Sequence, residues 1–449
     1  VWTALKTELL PGAGNKEVID TALEVVSALV KKFKSDQHNS DIILNKIFTS
    51  VIGTLLNRDS KLYKPTVELV RTCAKATDIS CVYVTNKVLP ITLTDLTGNE
   101  DISDDEKVEI LEDLRRILVI VDGRNMLSSY NSDNFILHIQ KELMKVLMTP
   151  SSSVELLKVT WAVLTSMAGV LSDENCQIVF KKLRDDLKTA TKEQSECLLA
   201  LATVHPGEVH NLVLTDYLNK TFTDVDEAKT IFTIMARLLD VPQLRDLIIE
   251  VLCLNVFNNK SKPIQLAVLQ VFRDVLSQKK APEITKILHA EWSIIVKLMD
   301  LIKNEDPDVT QDIMYEASLM MHLLVQTLPE DQQMKLIESY LPLMKLNESI
   351  PDLYITSGLV GFLDASVPIE SHFEQLVNDL TKLSLNSENE AVRKLANQLM
   401  CSLFNRAPID DKHRKVLRKI FELIKEELKK SNHKAVTLLG WISKGLLAR

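Results

Sequence analysis

A chain of 449 residues with 11 glycines, 14 prolines, a 46% apolar share and only 5% aromatics has few turns and an aliphatic core spread along its length. Its net charge of -8, from 53 basic against 61 acidic residues, repels phosphate backbones and argues against non-specific nucleic-acid binding. Six cysteines (Cys73, Cys81, Cys176, Cys197, Cys253 and Cys401) stand singly in apolar stretches with no C-x-x-C pair, which excludes a disulfide framework and points to reduced, buried thiols.

From the N-terminus, Pro11-Gly12-Ala13-Gly14 is a glycine cluster that reads as a turn before a helix. A phosphate-cradling loop would need a third glycine, a preceding strand and a downstream lysine. Cap residues followed by apolar periodicity then recur along the whole chain, at Asn15, Ser60, Ser103, Ser152, Thr191, Thr223, Ser261, Asp306, Ser349, Ser387 and Ser431. Their mean spacing is about 42 residues, within the ~40 to 47 of HEAT and armadillo units and clear of the ~33 or ~34 of ankyrin and tetratricopeptide units. Each start opens the second helix of a pair. The first helices are predicted over 40–57, 79–92, 124–149, 173–188, 206–220, 244–256, 284–304, 330–346, 370–384 and 409–430.

The fold class expected is therefore all-α, a HEAT/ARM-type α-solenoid of about ten helix pairs forming one continuous array over 1–449. Residues 94–106, with Glu100, Asp101, Asp104, Asp105 and Glu106, read as an acidic inter-repeat loop. The most apolar segment, Val154 to Leu171, is interrupted by Glu155 and Lys158 and falls short of the roughly 20 residues a membrane span needs, so a soluble chain is expected. A start at Val1 without methionine and an end inside an apolar helical pattern suggest an array cut at both ends.

Two units show the expected packing. Ser387 and Glu390 have the spacing of a capping box, and Val392, Leu395, Ala396, Leu399, Met400 and Leu403 follow as one stripe. After Ser261-Lys262-Pro263, with proline in the tolerant first turn, Ile264, Ala267, Val268, Val271, Phe272 and Val275 form a face that Leu266, Leu269 and Leu276 widen. A face that wide belongs to a helix buried on two sides, by its own partner and by the next repeat.

Chemistry-bearing motifs are sparse. His205 and His210 flank Pro206-Gly207 at a spacing that does not place both rings on one helical face, and no cysteine or carboxylate cluster completes a metal site around Glu208. H-E-x-x-H, G-x-S-x-G and kinase-type glycine loops are missing, so neither catalysis nor a bound cofactor is expected. Trp161 and Trp441 fall in apolar helices and read as core. The sequons at Asn219, Asn259 and Asn347 are as many as chance supplies in a chain this long. The strongest basic run, Lys412, His413, Arg414, Lys415, Arg418 and Lys419, lies on a helix continuing with Glu422, Glu426 and Glu427. It reads first as a solvated face and second as a protein-docking patch, with Lys412, Arg414, Lys415, Arg418 and Lys419 the candidate partner-binding residues.

The last ten residues, Gly440-Trp441-Ile442-Ser443-Lys444-Gly445-Leu446-Leu447-Ala448-Arg449, resemble the tryptophan-x-x-lysine-small-leucine-x-x-arginine helix of one family. It is the methyl-methanesulfonate-sensitivity-nineteen family, the HEAT-repeat subunit of the cytosolic iron-sulfur assembly targeting complex. The resemblance implies that 432–449 opens a C-terminal HEAT region. It also implies a non-catalytic adaptor, cytoplasmic and nuclear, that binds a WD-repeat propeller and a small MIP-eighteen-type subunit and brings apo iron-sulfur proteins, DNA replication and repair enzymes among them. Scattered single cysteines agree, since they cannot hold a four-cysteine cluster. A karyopherin-like transport receptor is the main alternative, with a regulatory subunit of a phosphatase or kinase assembly behind it.

Overall fold

The computed structural model describes residues 2–9, 16–92, 102–123, 134–150, 152–218, 220–278, 282–304, 310–344, 346, 348–361, 370–407 and 410–448. Every regular element among them is helical, and the fold class is the HEAT/ARM-type α-solenoid. The chain divides into two units, 1–219 and 220–449.

In the first unit the described α-helices of six residues or more are α1 (Trp2–Leu9), α2 (Lys16–Lys31), α3 (Gln37–Thr49), α4 (Tyr63–Ala76), α5 (Asp78–Tyr83), α6 (Asp104–Asp122), α7 (Asn134–Met148), α8 (Val154–Ser166), α9 (Asp173–Asp186) and α10 (Lys192–Val204). Helices α2, α4, α6, α8 and α10 are the anticipated second helices, and each packs on the next. The first helices pack alongside, α3 on α5 and α7 on α9. Polar contacts lock the spine: the Tyr63 hydroxyl donates to Asp113 at 2.9 Å, and the Ser153 N–H donates to Asp104 at 2.8 Å. On α7, the fully buried Gln140 donates to the Val170 carbonyl at 2.8 Å and accepts from the Ser172 N–H at 3.1 Å and the Asn175 amide at 2.8 Å.

The second unit holds α11 (Val225–Leu238), α12 (Pro242–Asn258), α13 (Lys262–Leu276), α14 (Pro282–Trp292), α15 (Ile294–Lys303), α16 (Gln311–Gln326), α17 (Glu330–Tyr340), α18 (Ile350–Val360), α19 (Glu370–Asn386), α20 (Glu390–Arg406), α21 (Asp411–Lys429) and α22 (His433–Leu447). Its spine runs α11, α13, α16, α18, α20, α22, again neighbour on neighbour. Helix α13 shows why its apolar face is wide. Ile264, Ala267, Val268, Leu269, Val271, Phe272, Val275 and Leu276 are all buried, between α11, α12 and α16. Where α18 meets α16 the helices come close enough for the Ser318 hydroxyl to donate to the Tyr354 carbonyl at 2.8 Å, and Gly358 faces Met321 with no room for a side chain.

Several starts shift. Ser103, Thr191, Ser261 and Ser349 are N-caps as expected, whereas Ser153, Asp224 and Asn432 cap in place of their neighbours Ser152, Thr223 and Ser431. Helix α4 begins at Tyr63 after Leu62, which offers no side-chain cap, so Ser60 is not the cap. Thr310 caps α16, while Asn15, the cluster Pro11 to Gly14 and Asp306 lie outside the described residues. The capping box at Ser387 and Glu390 is not formed. Asn389 caps α20 through the Ala391 N–H, and Ser387 instead accepts from the Asn389 N–H at 3.2 Å. Asparagine competes well for the cap because its short carbonyl reaches the next free N–H. Capping boxes do occur at Ser103 with Glu106 and at Thr191 with Gln194. Of the acidic stretch 94–106, residues 94–101 lie outside the described residues, while Asp104, Asp105 and Glu106 form the first turn of α6, where carboxylates meet the positive helix end.

First helices depart more than second ones. The helix expected over 284–304 is broken by Ser293, which takes a left-handed conformation (φ 47°) between α14 and α15. Those over 79–92 and 206–220 each contain a π-helical segment, Val84–Val88 and Val209–Leu214. Helix α21 ends in a tight reversal: Ser431 sits at φ 61°, and the Asn432 N–H returns to the Glu427 carbonyl at 3.1 Å. That is the Schellman arrangement, with a serine where glycine carries no Cβ penalty. Ser431→Gly is expected to stabilise the second unit by about 0.5–1 kcal/mol, read as a raised urea midpoint at unchanged slope.

One histidine makes the second unit acid-sensitive. Burial pushes the His322 imidazole down to about 4, so it is neutral when folded and charged in the unfolded chain at mildly acid pH. The unfolded state therefore binds the extra proton, and the stability present above pH ~6.5 is expected to fall as pH drops from there toward 4. Urea midpoints across that range check this, and His322→Phe should flatten the dependence.

Candidate protein-interaction surfaces

Helix α21 carries the basic run. Its apolar positions Val416, Ile420 and Ile424 face inward against α19 and α22, which leaves the charged arc outward. Lys412, Arg414, Lys415, Arg418 and Lys419 are all exposed. Lys419 reaches α19 and bonds Glu374 at 2.7 Å, holding that carboxyl below the usual range, and Arg414 lies 3.9 Å from Asp411 of the same helix. One turn on, Lys425 pairs with Glu422 at 3.6 Å, so the basic character is confined to the N-terminal half. Leu423 and Leu428 are exposed beyond it.

His413, counted with the run in the sequence, belongs to the core instead. It is buried, its Nδ1 lies 2.7 Å from the Asp410 carboxylate, and its ring stands edge-on to Phe373 at 4.6 Å. Asp410 also accepts from the His413 N–H at 2.8 Å, and these bonds lower its pKa. The imidazole thus helps seat the N-terminus of α21 rather than adding a surface cation.

The other sequence candidates are placed as follows. His205 ends α10 with its Nε2 4.0 Å from the Cys176 sulfur and its ring edge-on to Phe180, while His210 lies within the π-helical segment. Among the described residues no three His, Cys, Asp or Glu side chains gather as a metal set. Burial pushes Cys73, Cys197 and Cys253 up to about 12 and Cys176 to about 11, far from the thiolate that nucleophiles and metal ligands require. Trp161 is buried, whereas Trp441 is half-buried with the Lys444 ammonium 5.0 Å from its ring centre, a cation–π contact. No described helix is long and apolar enough to cross a membrane.

The terminal motif has a physical explanation in the packing of α22 on α20. A Cβ at Gly445 would fall onto the carbonyl of Cys401 and within 3.1 Å of its Cα, so the small residue permits backbone contact between the helices. The apolar residues around it, Leu438 and Ile442, are buried in the same contact layer. Trp441 and Lys444 lie on the flank of that seam.

No family model matches the chain. A curated relative does: the MMS19 nucleotide excision repair protein of Drosophila melanogaster is 25% identical over 458 residues, covering 100% of this chain and 47% of that protein. The chain thus spans about half the length of this relative. Solved structures with similar helical arrays include the karyopherin Kap121p bound to the extreme C-terminus of the protein phosphatase Cdc14p (TM-score 0.47, 14% identity, 99% of this chain and 45% of that one). Importin beta is another, at TM-score 0.39 and 12% identity, covering 99% of this chain and 56% of that one. Similarity to the MMS19 nucleotide excision repair protein along the whole chain bears out the family resemblance read from its last helix.

Proposed function

We propose that the chain is a non-catalytic scaffold of the cytosolic iron-sulfur protein assembly targeting complex, acting in cytoplasm and nucleus. It recruits apo iron-sulfur proteins, DNA replication and repair enzymes among them, and joins them to a WD-repeat propeller and a small MIP-eighteen-type subunit. The observation that carries this reading is the likeness, over the whole of this chain, to about half of the MMS19 nucleotide excision repair protein. Two features of the chain support it: helix after helix with an exposed face suited to protein contact, and cysteines of which five of six are buried and none stands in a four-cysteine set. The cations Lys415 and Arg418 are the candidate client contacts, because they lie at the centre of the exposed basic arc of α21.

The test is a tagged pulldown from cytosolic extract read by mass spectrometry. Enrichment of the propeller, the small subunit and apo iron-sulfur proteins is expected. Recovery of Ran-sensitive cargo in their place would overturn the reading in favour of a transport receptor. The double change Lys415→Glu with Arg418→Glu is expected to lower client recovery by roughly 3- to 10-fold while leaving the melting temperature unchanged, since rim charges govern encounter more than folding.

A further inference from the structure

Between α3 and the helical stretch that α5 begins lies a groove of about 430 Å³, away from the basic arc of α21. One wall carries Asp41, Ile42 and Asn45 of α3. The other carries Tyr83, the last residue of α5, and Asn86 and Lys87 of the π-helical segment Val84–Val88. Both walls are helical. Phe48 stacks on the Tyr83 ring at 5.9 Å, and the Tyr83 hydroxyl donates to the Asn45 side-chain oxygen at 3.4 Å. With that oxygen engaged, the Asn45 amide is left as a donor. Ile42 is 53% exposed, and Asn86 and Lys87 are exposed beside it. A π segment loses the regular i to i−4 pairing, and such segments are concentrated at functional sites.

The polar groups sort by chemistry. Asp41 lies close enough to Tyr83 that, after burial, its charge contributes to raising the phenol above its ordinary range. A carboxylate beside an aromatic ring is a pairing that receives a guanidinium or ammonium group. Lys87 follows Tyr83 by four residues across the π segment and lines the same groove. An extended peptide presents residues i and i+2 on the same side, so one segment can offer both a cation and an anion to this groove. Carboxamides offer both a donor and an acceptor, the complement of a peptide group.

We propose that this groove docks an extended segment of a protein partner, with a basic residue at Asp41 and Tyr83, an acidic residue two positions away at Lys87, and the backbone between them paired by Asn45 and Asn86. An apolar side chain of the same segment packs on Ile42. The recognition is by charge order rather than by area, so it discriminates peptides of equal composition class but different charge placement.

The probes are three fluorescein-labelled decapeptides with Gly-Ser flanks and the centres Arg-Leu-Glu, Arg-Leu-Arg and Glu-Leu-Glu, titrated by fluorescence anisotropy into the full chain. Wild type is expected to prefer Arg-Leu-Glu by about fivefold or more. Asp41→Lys should move the preference to Glu-Leu-Glu, and Lys87→Glu should move it to Arg-Leu-Arg. Both substitutions are at surface side chains, and melting curves check that the variants remain folded. Equal affinity for the three peptides, no binding at all, or preferences that do not follow the two charge reversals would overturn the proposal.

Discussion

Replacing Gly445 with alanine is expected to destabilise the second unit by about 2–3 kcal/mol, and with valine by more, because overpacking against backbone has no inexpensive relaxation. The obstacle is the carbonyl group of Cys401 on the neighbouring helix, which is held in the hydrogen-bond ladder of α20 and cannot swing aside as a side chain would. For a unit of this size the loss corresponds to roughly 5–10 °C in melting temperature. Gly440, five residues earlier in the same helix, supplies the internal control. A Cβ there meets nothing within 4 Å, so Gly440→Ala should gain about 0.5–1 kcal/mol from helix propensity alone. Opposite signs for two glycines of one helix would establish that the close approach of α22 to α20, and not glycine content, is what the terminal motif encodes. A loss at both positions would count against the contact.

The second large effect is expected at Gln140. Its side chain is fully buried and satisfies two groups of the segment joining α8 to α9, the Val170 carbonyl and the Ser172 N–H, and the Asn175 amide in the first turn of α9. Gln140→Leu keeps most of the volume but takes the partner from the buried Val170 carbonyl, which costs about 1–3 kcal/mol, and from the half-buried Ser172 N–H and Asn175 amide, about 0.5–1.5 kcal/mol each. A total loss of roughly 3–5 kcal/mol is expected, enough to separate the unfolding of the first unit from that of the second in a calorimetric scan. Gln140→Glu should also be costly, since a carboxylate cannot donate to the Val170 carbonyl. If both variants melt like the wild type, the clasp contributes nothing and the buried Ala168, Val170 and Leu171 suffice to hold the segment.

The period of the chain was legible because a helix buried on two sides must repeat apolar residues on a wide arc. In α13 that arc runs from Ile264 to Leu276, and all eight residues named above are in the core. Cap positions were legible to within one to a few residues. The misses occurred where two cap-capable side chains compete, as Ser387 and Asn389 do, or where a helix begins without a side-chain cap, as at Tyr63. First helices were read less well. They carry one packed side and more exposed surface, so breaks such as Ser293 and π turns such as Val84–Val88 leave little trace in apolar spacing. The helix Trp2–Leu9, too short to show a period, was not anticipated.

The basic arc of α21 was visible as residue types at helical spacing, and the apolar positions Val416, Ile420 and Ile424 were enough to send it outward. That His413 leaves the arc was not visible, because its burial depends on Phe373 of another helix forty residues earlier. The groove at Asp41 and Tyr83 was equally hidden. Its two walls are separated by about forty residues and are brought together by the repeat, while each wall alone reads as an ordinary polar helix face. Sequence by itself determined what depends on nearest neighbours along the chain: helical state, repeat length, aliphatic core and the absence of a disulfide framework. Only the tertiary structure decided what depends on one helix meeting the next, namely that Gly445 touches backbone, that Gln140 clasps a distant turn, and that Asp41 and Lys87 face one cleft. Helix propensity and periodicity are local, whereas these contacts are set by the stacking of helices forty residues apart.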